Sequence, residues 1–437
     1  MQEYLARLQD PNPSVRREAA GALGWMGTAA ATPEVLEALI RRLREDEDWL
    51  VRYAAAEALG RMGTAAARPE VLEALAQCLR EDKAREVRRN AAEALGEMGA
   101  AAATPEVIEA LVQRLREDED EAVRREAAWA LGKMGKTAAT PEVIGALLER
   151  LQEDEDGWVR EQAARVLGKM GEAAATPEVL RALVQALRDR NSDVRSEAAV
   201  ALGEMGAAAA QPEVIQALTE RLLRDKAWEV RQVAGWALGA MGAAAATQEV
   251  VGALIQRLRE DEDKWVRHAA AQALGKMGKA AARPEVLEAL VQALRDRVFD
   301  VRQKAAEALR QLLPAHPEAL RNFLCTRPTP KALEEVFRDR PWAVPALRAL
   351  LSDPDPKVRA RAVWALGIVG PAAATPEVVR DLLARRLDKD PNVRTAALKV
   401  LRRLPVSSET VSAVLRDFRG DEPEAAEATA WALERLV

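Results

Sequence analysis

Apolar residues recur along this chain in short stripes with helical spacing, separated by polar turns or Ala-rich stretches. The segment 104–139 shows both kinds of stripe. Its first stripe has steps of one, three and four residues and comprises Val107, Ile108, Leu111 and Leu115. Its second stripe comprises Val123, Ala127, Ala128, Leu131 and Met134. Since such spacing places residues on one helical face, the segment predicts two antiparallel helices of about 14 and 13 residues.

This segment is one copy of a repeat that is marked by the dipeptide Val-Arg. The dipeptide returns every 35 or 36 residues, apart from one step of 57. Its valines are Val15, Val51, Val87, Val123, Val159, Val194, Val230, Val266, Val301, Val358 and Val393. A helix pair of this size cannot bury its own apolar face, so each copy must stack on its neighbours. We therefore predict an all-α fold, an α-solenoid (superhelix) of about twelve antiparallel helix pairs.

Residues at the ends of the stripes predict where the helices begin and end. Thr104 is a suitable N-cap, and Pro105 fits the first helical position, where its missing N–H has no cost. We expect the first helix to end near Arg116 and the second to open at Val123. Gly132 and Gly135 would loosen and end the second helix, with Gly135 as a left-handed cap.

An aspartate lies six residues before the arginine in all eleven Val-Arg copies, from Asp10 to Asp388. A row of acids for metal binding or catalysis is one interpretation. An Asp–Arg ladder that ties each turn to its own or the next second helix is the other. We favour the ladder, because an active site need occur only once whereas this pair occurs wherever the fold repeats.

The spacing changes once, after residue 313. Unit nine loses its Leu-Gly-x-Met-Gly ending, and the next Val-Arg arrives 21 residues late. The proline-rich insert predicts two short helices, near 317–324 and 330–338, and a kink in the superhelix. We predict a regular array of about nine units at 1–313. An irregular helical insert at 314–340 follows, and then a second short array with a C-terminal cap at 341–437.

Composition and charge argue against several classes of function. Apolar residues make up 49% and aromatic residues 4%, and the net charge of −5 argues against a nucleic-acid partner. Two widely separated cysteines do not suggest a secreted disulfide scaffold. The N-terminus lacks a signal-peptide core, and no apolar run is long enough to span a membrane. We therefore expect a cytoplasmic protein with no membrane association.

The combination of Asp-x5-Arg with Ala-Ala-x-Ala-Leu-Gly-x-Met-Gly resembles HEAT repeats, in particular the HEAT-like class related to phycobilisome lyase repeats. It is also similar to arrays in bacterial NACHT-type proteins, although no NTPase domain is present here. The resemblance covers nearly the whole chain. It implies protein–protein scaffolding, with first helices on the convex side and second helices lining the concave side.

Comparison of the units with one another separates scaffold from surface. Counted from each Val, positions +2, +3, +6 and +10 vary widely, and their spacing puts them on one side of the second helix, here called the variable face. Trp and Arg are the residues that most often anchor partners. The candidate partner-binding residues are Trp25, Arg61, Trp129, Lys133, Arg165, Lys169, Trp236 and Trp364. Packing between neighbouring repeats is an equally open interpretation for the tryptophans.

Catalytic chemistry has little support. His268 and His316 lie in no metal-spaced cluster, and acidic runs such as 117–120 are expected to be solvated turn residues. The segment 132–137 fails as a phosphate loop because Ala130 stands where a glycine is required. We expect no enzyme activity, no catalytic residue, no metal and no cofactor. A protein or peptide partner is the leading hypothesis, and a nucleic-acid-binding solenoid or a chromophore-lyase-like subunit is the alternative.

Overall fold

Helices form all the regular structure in the described part of this computed structural model, which confirms the predicted all-α solenoid of stacked helix pairs. The chain divides into two compact units, Met1–Met241 and Gly242–Val437. The structure describes residues 1–315, 317–326, 328–417 and 429–431. Much of the predicted C-terminal cap, 418–428 and 432–437, lies outside the described residues.

The first unit contains seven helix pairs. Its α-helices are α1 (Gln2–Arg7), α2 (Pro13–Trp25), α3 (Pro33–Glu45), α4 (Trp49–Arg61), α5 (Pro69–Glu81), α6 (Arg85–Met98), α7 (Pro105–Glu117), α8 (Glu121–Met134), α9 (Pro141–Glu153), α10 (Gly157–Lys169), α11 (Pro177–Ala186), α12 (Ser192–Glu204), α13 (Pro212–Arg224) and α14 (Trp228–Ala240). Odd numbers are first helices and even numbers are second helices.

The described part of the second unit contains five pairs and one further helix. Its α-helices are α15 (Gln248–Glu260), α16 (Lys264–Lys276), α17 (Pro284–Ala293), α18 (Phe299–Leu312), α19 (Pro317–Cys325), α20 (Pro330–Phe337), α21 (Ala343–Ala349), α22 (Pro356–Val369), α23 (Pro376–Arg385), α24 (Pro391–Arg403) and α25 (Ser408–Asp417).

The capping residues act as the sequence predicted at the start of the first helices. Thr104 Oγ1 accepts a hydrogen bond of 3.4 Å from the Val107 amide, with Pro105 in the first position of α7. The second helix starts at Glu121, two residues before the predicted start. The reason is a second cap, because Asp120 Oδ1 accepts from the Ala122 and Val123 amides at 3.0 and 3.2 Å.

Each regular second helix ends in a turn that the sequence did not predict. In the fourth pair, Gly135 has φ +62° and ψ −137°, so its φ is positive as expected but its ψ lies outside the left-handed helical region. A 3₁₀ turn, Gly135–Ala138, follows, and the Ala138 side chain is fully buried. The Ala-rich linker is therefore part of the core. The same turn recurs at Gly27–Ala30, Gly63–Ala66, Gly99–Ala102, Gly171–Ala174, Gly206–Ala209, Gly242–Ala245, Gly278–Ala281 and Gly370–Ala373.

Glycine inside the second helices allows neighbouring backbones to approach closely. A Cβ built on Gly60 of α4 would lie 2.9 Å from Ala94 Cα of α6, and one built on Gly132 would lie 2.8 Å from Val166 Cγ2. The prediction that Gly132 loosens its helix is wrong, since α8 continues through it to Met134. Successive second helices pack against each other more extensively than successive first helices do.

The Asp–Arg ladder connects neighbouring pairs. Arg16 Nε and Nη2 each donate to the Asp46 carboxylate of the next pair at 2.7 Å. Arg16 Nη1 donates to the backbone carbonyl of Asp10, in its own pair, at 2.9 Å. One guanidinium thus joins two turns. Equivalent pairs in the described part of the chain include Arg52–Asp82, Arg88–Asp118, Arg124–Asp154, Arg160–Asp189, Arg195–Asp225, Arg267–Asp296 and Arg359–Asp388.

The insert forms a shortened helix pair, which confirms the two predicted short helices. First helix α19 packs against α17 and α21, and second helix α20 packs against α18 and α22. In the described part of the chain, the Arg302 guanidinium donates to the backbone carbonyls of Asp296 and Arg297 and not to a ladder carboxylate. Arg321 of α19 instead binds the next ladder acid, with its Nε 2.7 Å from Asp353 Oδ2. The three-part division at 313/314 and 340/341, and the kink, stay predictions.

Candidate partner-binding surface

The variable face lies on the second helices, beside the core positions that hold the stack together. The Val of each Val-Arg copy from Val51 to Val393 is buried, whereas Val15 is half-buried, and the Leu eight residues after each Val is buried in every copy. The positions between them project away from the core to different degrees. Trp25, Arg61, Lys133 and Lys169 are exposed, whereas Trp129, Arg165, Trp236 and Trp364 are half-buried. The eight predicted residues therefore differ in what they can offer a partner.

Trp25 is the most exposed of the predicted tryptophans. It is the last residue of α2 and is 79% exposed. The guanidinium carbon of Arg61, at the end of α4, lies 3.9 Å from the centre of its ring. The Glu57 carboxylate accepts from Arg61 Nη2 at 2.6 Å and so holds the cation over the ring. The structure brings these two predicted residues together across neighbouring helices as an open aromatic–cation pair.

Trp129 and Trp236 pack between repeats. A Cβ built on Gly96 would lie 2.3 Å from Trp129 Cζ3, and one on Gly203 would lie 2.3 Å from Trp236 Cζ3. Each ring therefore covers a glycine of the preceding second helix. Lys133 Nζ, one turn later on α8, lies 5.0 Å from the centre of the Trp129 ring. Packing between repeats therefore accounts for the covered part of each tryptophan ring. Binding of a partner by the uncovered part of the ring stays a prediction.

Three of the candidate residues, Lys133, Arg165 and Lys169, are cations of the fourth and fifth pairs, and acids lie beside Arg165 and Lys169. Arg165 Nη2 of α10 lies 2.6 Å from Glu161 Oε1 and 2.8 Å from Glu197 Oε1 of α12. Arg165 therefore links α10 to α12 and offers little free charge. Burial, reinforced by the Glu197 carboxylate, raises the pKa of Glu204, which faces the Lys169 ammonium. Of these three cations, Lys133 and Lys169 are exposed, and they lie on different helices rather than in a continuous run of positive charge.

Glu126 is a half-buried acid that the sequence analysis did not single out. It lies at position +3 of α8, three residues before Trp129. Burial, together with the nearby Glu93 carboxylate, raises the pKa of Glu126 to about 7. The charge of this part of the variable face therefore depends on pH near neutrality. Position +3 varies from exposed to buried between units, so the repeat pattern did not predict the burial of Glu126.

In the second unit, Trp364 lies beside a small apolar pocket. The cavity has a volume of about 250 Å³. Lys399 Nζ of α24 lies 6.0 Å from the centre of the Trp364 ring. The lining residues are Pro328, Pro330, Leu333, Arg361, Trp364 and Ile368. The prolines of the insert were visible in the sequence, but their position beside Trp364 was not.

The acidic turns have structural roles. The Asp118 side chain is buried, with the residue only 4% exposed, and it accepts from Arg88 Nε at 2.7 Å. Asp120 caps α8. The expectation that residues 117–120 are all solvated is therefore wrong for these two. The recurring aspartates build the ladder and the caps, as the structural interpretation requires.

Other reactive groups do not assemble into a catalytic arrangement in the part of the chain that the structure describes. No group of three or more His, Cys, Asp or Glu side chains there is placed to hold a metal ion. Burial, with the Asp82 carboxylate, raises the pKa of the Cys78 thiol to about 12, which opposes reaction as a thiolate. Burial lowers the pKa of His268, and the nearby Lys304 ammonium lowers it further. His316 lies outside the described residues.

Within the described ranges, none of the helices combines the length and the apolar composition that crossing a membrane would require.

Solved structures with a related fold are distant in sequence. An engineered protein has 23% identity over 92% of this chain and 98% of its own, with a TM-score of 0.45. Importin beta has 17% identity over 98% of this chain and 60% of its own, with a TM-score of 0.50. A Kap121p mutant has 15% identity over 92% of this chain and 45% of its own, with a TM-score of 0.51. At these identities the likeness to importin beta and to the Kap121p mutant shows the fold alone, and the chain spans only part of both of these proteins.

No curated protein matches the chain. The family model for HEAT repeats does match, in overlapping stretches that cover most of the chain: 1–96, 72–168, 144–239, 215–310, 331–388 and 344–434. These matches contain the Val-Arg copies and the ladder that joins them, and the chain belongs to the HEAT repeat family.

Proposed function

We propose that this protein is a non-enzymatic scaffold that binds a protein or a peptide along the variable face of its second helices. The observation that carries the proposal is the Trp25–Arg61 pair, a 79% exposed indole under a guanidinium at 3.9 Å. A large exposed aromatic side chain contributes nothing to the core, whereas Trp and Arg contribute most to the binding energy of interfaces. The buried ladder holds the helices that carry such side chains, so the surface is preorganised.

The charge pattern supports a protein or peptide more than a nucleic acid. Binding along a phosphate backbone needs a run of cations, and its affinity falls steeply with salt. Here Arg165 is paired with Glu161 and Glu197. The net charge of the whole chain is −5. A mixture of exposed charges suits the orientation of a polypeptide partner. A cytoplasmic location stays a prediction from the sequence.

The proposal can be tested by panning a random-peptide phage library on the immobilised full-length protein. Enriched clones are then bound to wild type, to a Trp25→Ala/Trp129→Ala double variant and to Trp158→Ala. Trp158 is 62% exposed but lies at the start of α10, off the variable face, so it is a matched control. We expect the double variant to lose binding about tenfold or more, because interface tryptophans are frequent hot spots.

Circular dichroism melts of all three proteins separate lost binding from lost folding. Equal binding by wild type and a folded double variant would refute the proposal, as would failure of the wild type to enrich any peptide. The nucleic-acid alternative is tested by fluorescence polarisation with labelled duplex DNA at low salt. Tight, strongly salt-dependent DNA binding would favour that alternative instead.

A further inference from the structure

The pocket beside Trp364 exists because the insert's second helix is short. Helix α20 has 8 residues, whereas α18 and α22 on either side have 14 each. Pro330, the first residue of α20, lines the same pocket as Ile368, near the end of α22. Helix α20 thus lies against the later half of α22, and the Trp364 ring beside the pocket is half-buried. A full-length second helix would fill this space.

The pocket wall is apolar. Two prolines, Leu333, Ile368 and the Trp364 ring form most of it, and among the described residues that line it Arg361 is the charged one. Arg361 Nη1 donates to the Leu324 carbonyl, which fixes its guanidinium at the edge of the pocket. A cavity of about 250 Å³ is large enough for one large apolar side chain but not for a drug-sized ligand.

Cations occupy several variable-face positions of α22 and α24, whereas two acids, Glu334 and Glu335, follow the pocket residue Leu333 on α20. Helices α22 and α24 together have eight variable-face positions, and none of them is an acid. Arg361, Lys399 and Arg403 are cations at those positions, and the last two are exposed. On α20, the exposed Glu334 carboxylate pairs with Arg338 Nη2 at 2.8 Å. This contrasts with the first unit, where acids and bases alternate on the variable face.

We infer that this pocket binds an acidic peptide through one large apolar side chain, with Lys399 and Arg403 contacting carboxylates on either side of it. The inference rests on the proposed function and assigns the chemistry of the partner at Trp364. A buried apolar anchor supplies most of the affinity, and the surrounding cations select the sign of the flanking residues. A basic peptide with the same anchor is rejected by like charge.

The test uses the full-length protein and three fluorescein-labelled peptides. The first has a central Leu-Phe pair between two Glu-Glu pairs, the second replaces every Glu by Lys, and the third replaces Leu-Phe by Ser-Ser. Fluorescence polarisation at low and physiological salt gives the affinities. We expect only the first peptide to bind, and its affinity to fall as salt rises. Binding of the lysine peptide with equal or higher affinity, or no binding of the first peptide, would overturn the inference.

Two variants locate the site. Lys399→Glu should weaken binding of the acidic peptide about tenfold, because it reverses a charge next to the Trp364 ring. Lys279→Glu makes the same charge change at an exposed residue in the turn after α16 and should leave binding unchanged. Equal effects of the two substitutions would show a general charge effect and would refute the pocket. If the phage-selected peptides still depend on Trp25 and Trp129 while the acidic peptide fails, only this inference falls and the proposed function stands.

Discussion

At the scale of single residues, glycine has opposite effects at two places in the second helices. Gly60 lies in α4 against Ala94 of the next second helix, so an added methyl group would meet backbone at 2.9 Å. Gly21 lies in the interior of α2 with nothing within 4 Å of its built Cβ. Both are helical glycines without a positive φ. Their surroundings alone decide what a methyl group would do.

Gly60→Ala should destabilise the protein by about 1–3 kcal/mol, because the two helices must move apart to admit the methyl group. Gly21→Ala should stabilise it by about 0.4–1 kcal/mol, since alanine lowers the entropy of the unfolded chain and favours a helix. Urea unfolding followed by circular dichroism measures both changes. A stabilising Gly60→Ala would mean that the close approach of α4 and α6 is wrong.

The sequence revealed the constancy of this glycine but not its cause. Gly132 occupies the same position in α8, and we expected it to weaken the helix because glycine is a poor helix former. In the structure the glycine favours packing between helices, and its closest neighbour is Val166, in the next pair. A contact between distant residues cannot be read from local propensity. The same limit applies to Arg165, whose partner Glu197 is 32 residues away.

At the scale of helices and turns, the ladder is the repeated connection between pairs. Asp118 accepts from Arg88 Nε and Nη2 at 2.7 and 2.8 Å, and Asp10 is the same residue in the first pair. The Asp10 carboxylate accepts from the Asn12 amide at 2.8 Å, and Arg16 donates to the Asp10 backbone carbonyl rather than to this carboxylate. Asp10 is thus a natural control for the carboxylate of Asp118.

Asp118→Ala should cost about 3–5 kcal/mol, because it leaves the half-buried Arg88 guanidinium without its carboxylate. Asp10→Ala should cost about 1 kcal/mol or less, since it removes no such pair. Unfolding in urea at neutral pH compares the two variants. Similar losses for both would contradict the ladder as a stabilising connection.

The same pair also predicts a dependence on pH. Burial alone would raise the pKa of Asp118, but hydrogen bonds from Arg88 and the Asp120 amide outweigh it and lower the pKa. A lowered pKa in the folded state gives stability that is present above the unfolded value of about 3.9 and is lost as the pH falls through the folded value. The difference between wild type and Asp118→Ala should therefore shrink in acid.

The sequence predicted the ladder and its period but not its direction. The spacing of Asp and Arg fitted a bond within a pair as well as a bond to the next pair. The structure contains both bonds. The guanidinium has enough N–H donors to bind a backbone carbonyl of its own pair and the carboxylate of the next pair. In the insert, Arg321 takes the place of the ladder arginine and binds Asp353. The Val-Arg pattern did not predict this substitution of one arginine for another.

At the scale of the whole molecule, the period predicts the fold class and the repeated motifs resemble a family, whereas neither identifies the partner. Core positions have nearly the same residues in every unit, so comparison of the units identifies them. Residues of the variable face differ in every unit, and whether each is available depends on its neighbour. Trp25 and Trp129 look alike in the sequence, yet Trp25 is exposed while Trp129 covers Gly96.

A stack of repeats also predicts how the molecule responds to local damage. Each pair contacts only the pairs next to it, so the free energy of unfolding is close to a sum of unit and interface contributions. Leu59 of α4 is fully buried, and Leu59→Ala should remove about 2–5 kcal/mol of local stability. Hydrogen exchange measured by mass spectrometry should then accelerate in α2, α4 and α6. In α12 of the same unit it should stay close to the wild-type rate, because four interfaces separate α12 from α4 along the stack of second helices.

Leu202→Ala is the matched control, because Leu202 is the equivalent fully buried leucine of α12. It should produce the mirror result, with fast exchange around α12 and little change in α4. Equal acceleration in both helices with either variant would mean that the unit Met1–Met241 opens as one cooperative body. A stack in which damage stays local keeps the variable face of distant pairs intact, so a partner bound at Trp236 would not be released by a substitution at Leu59.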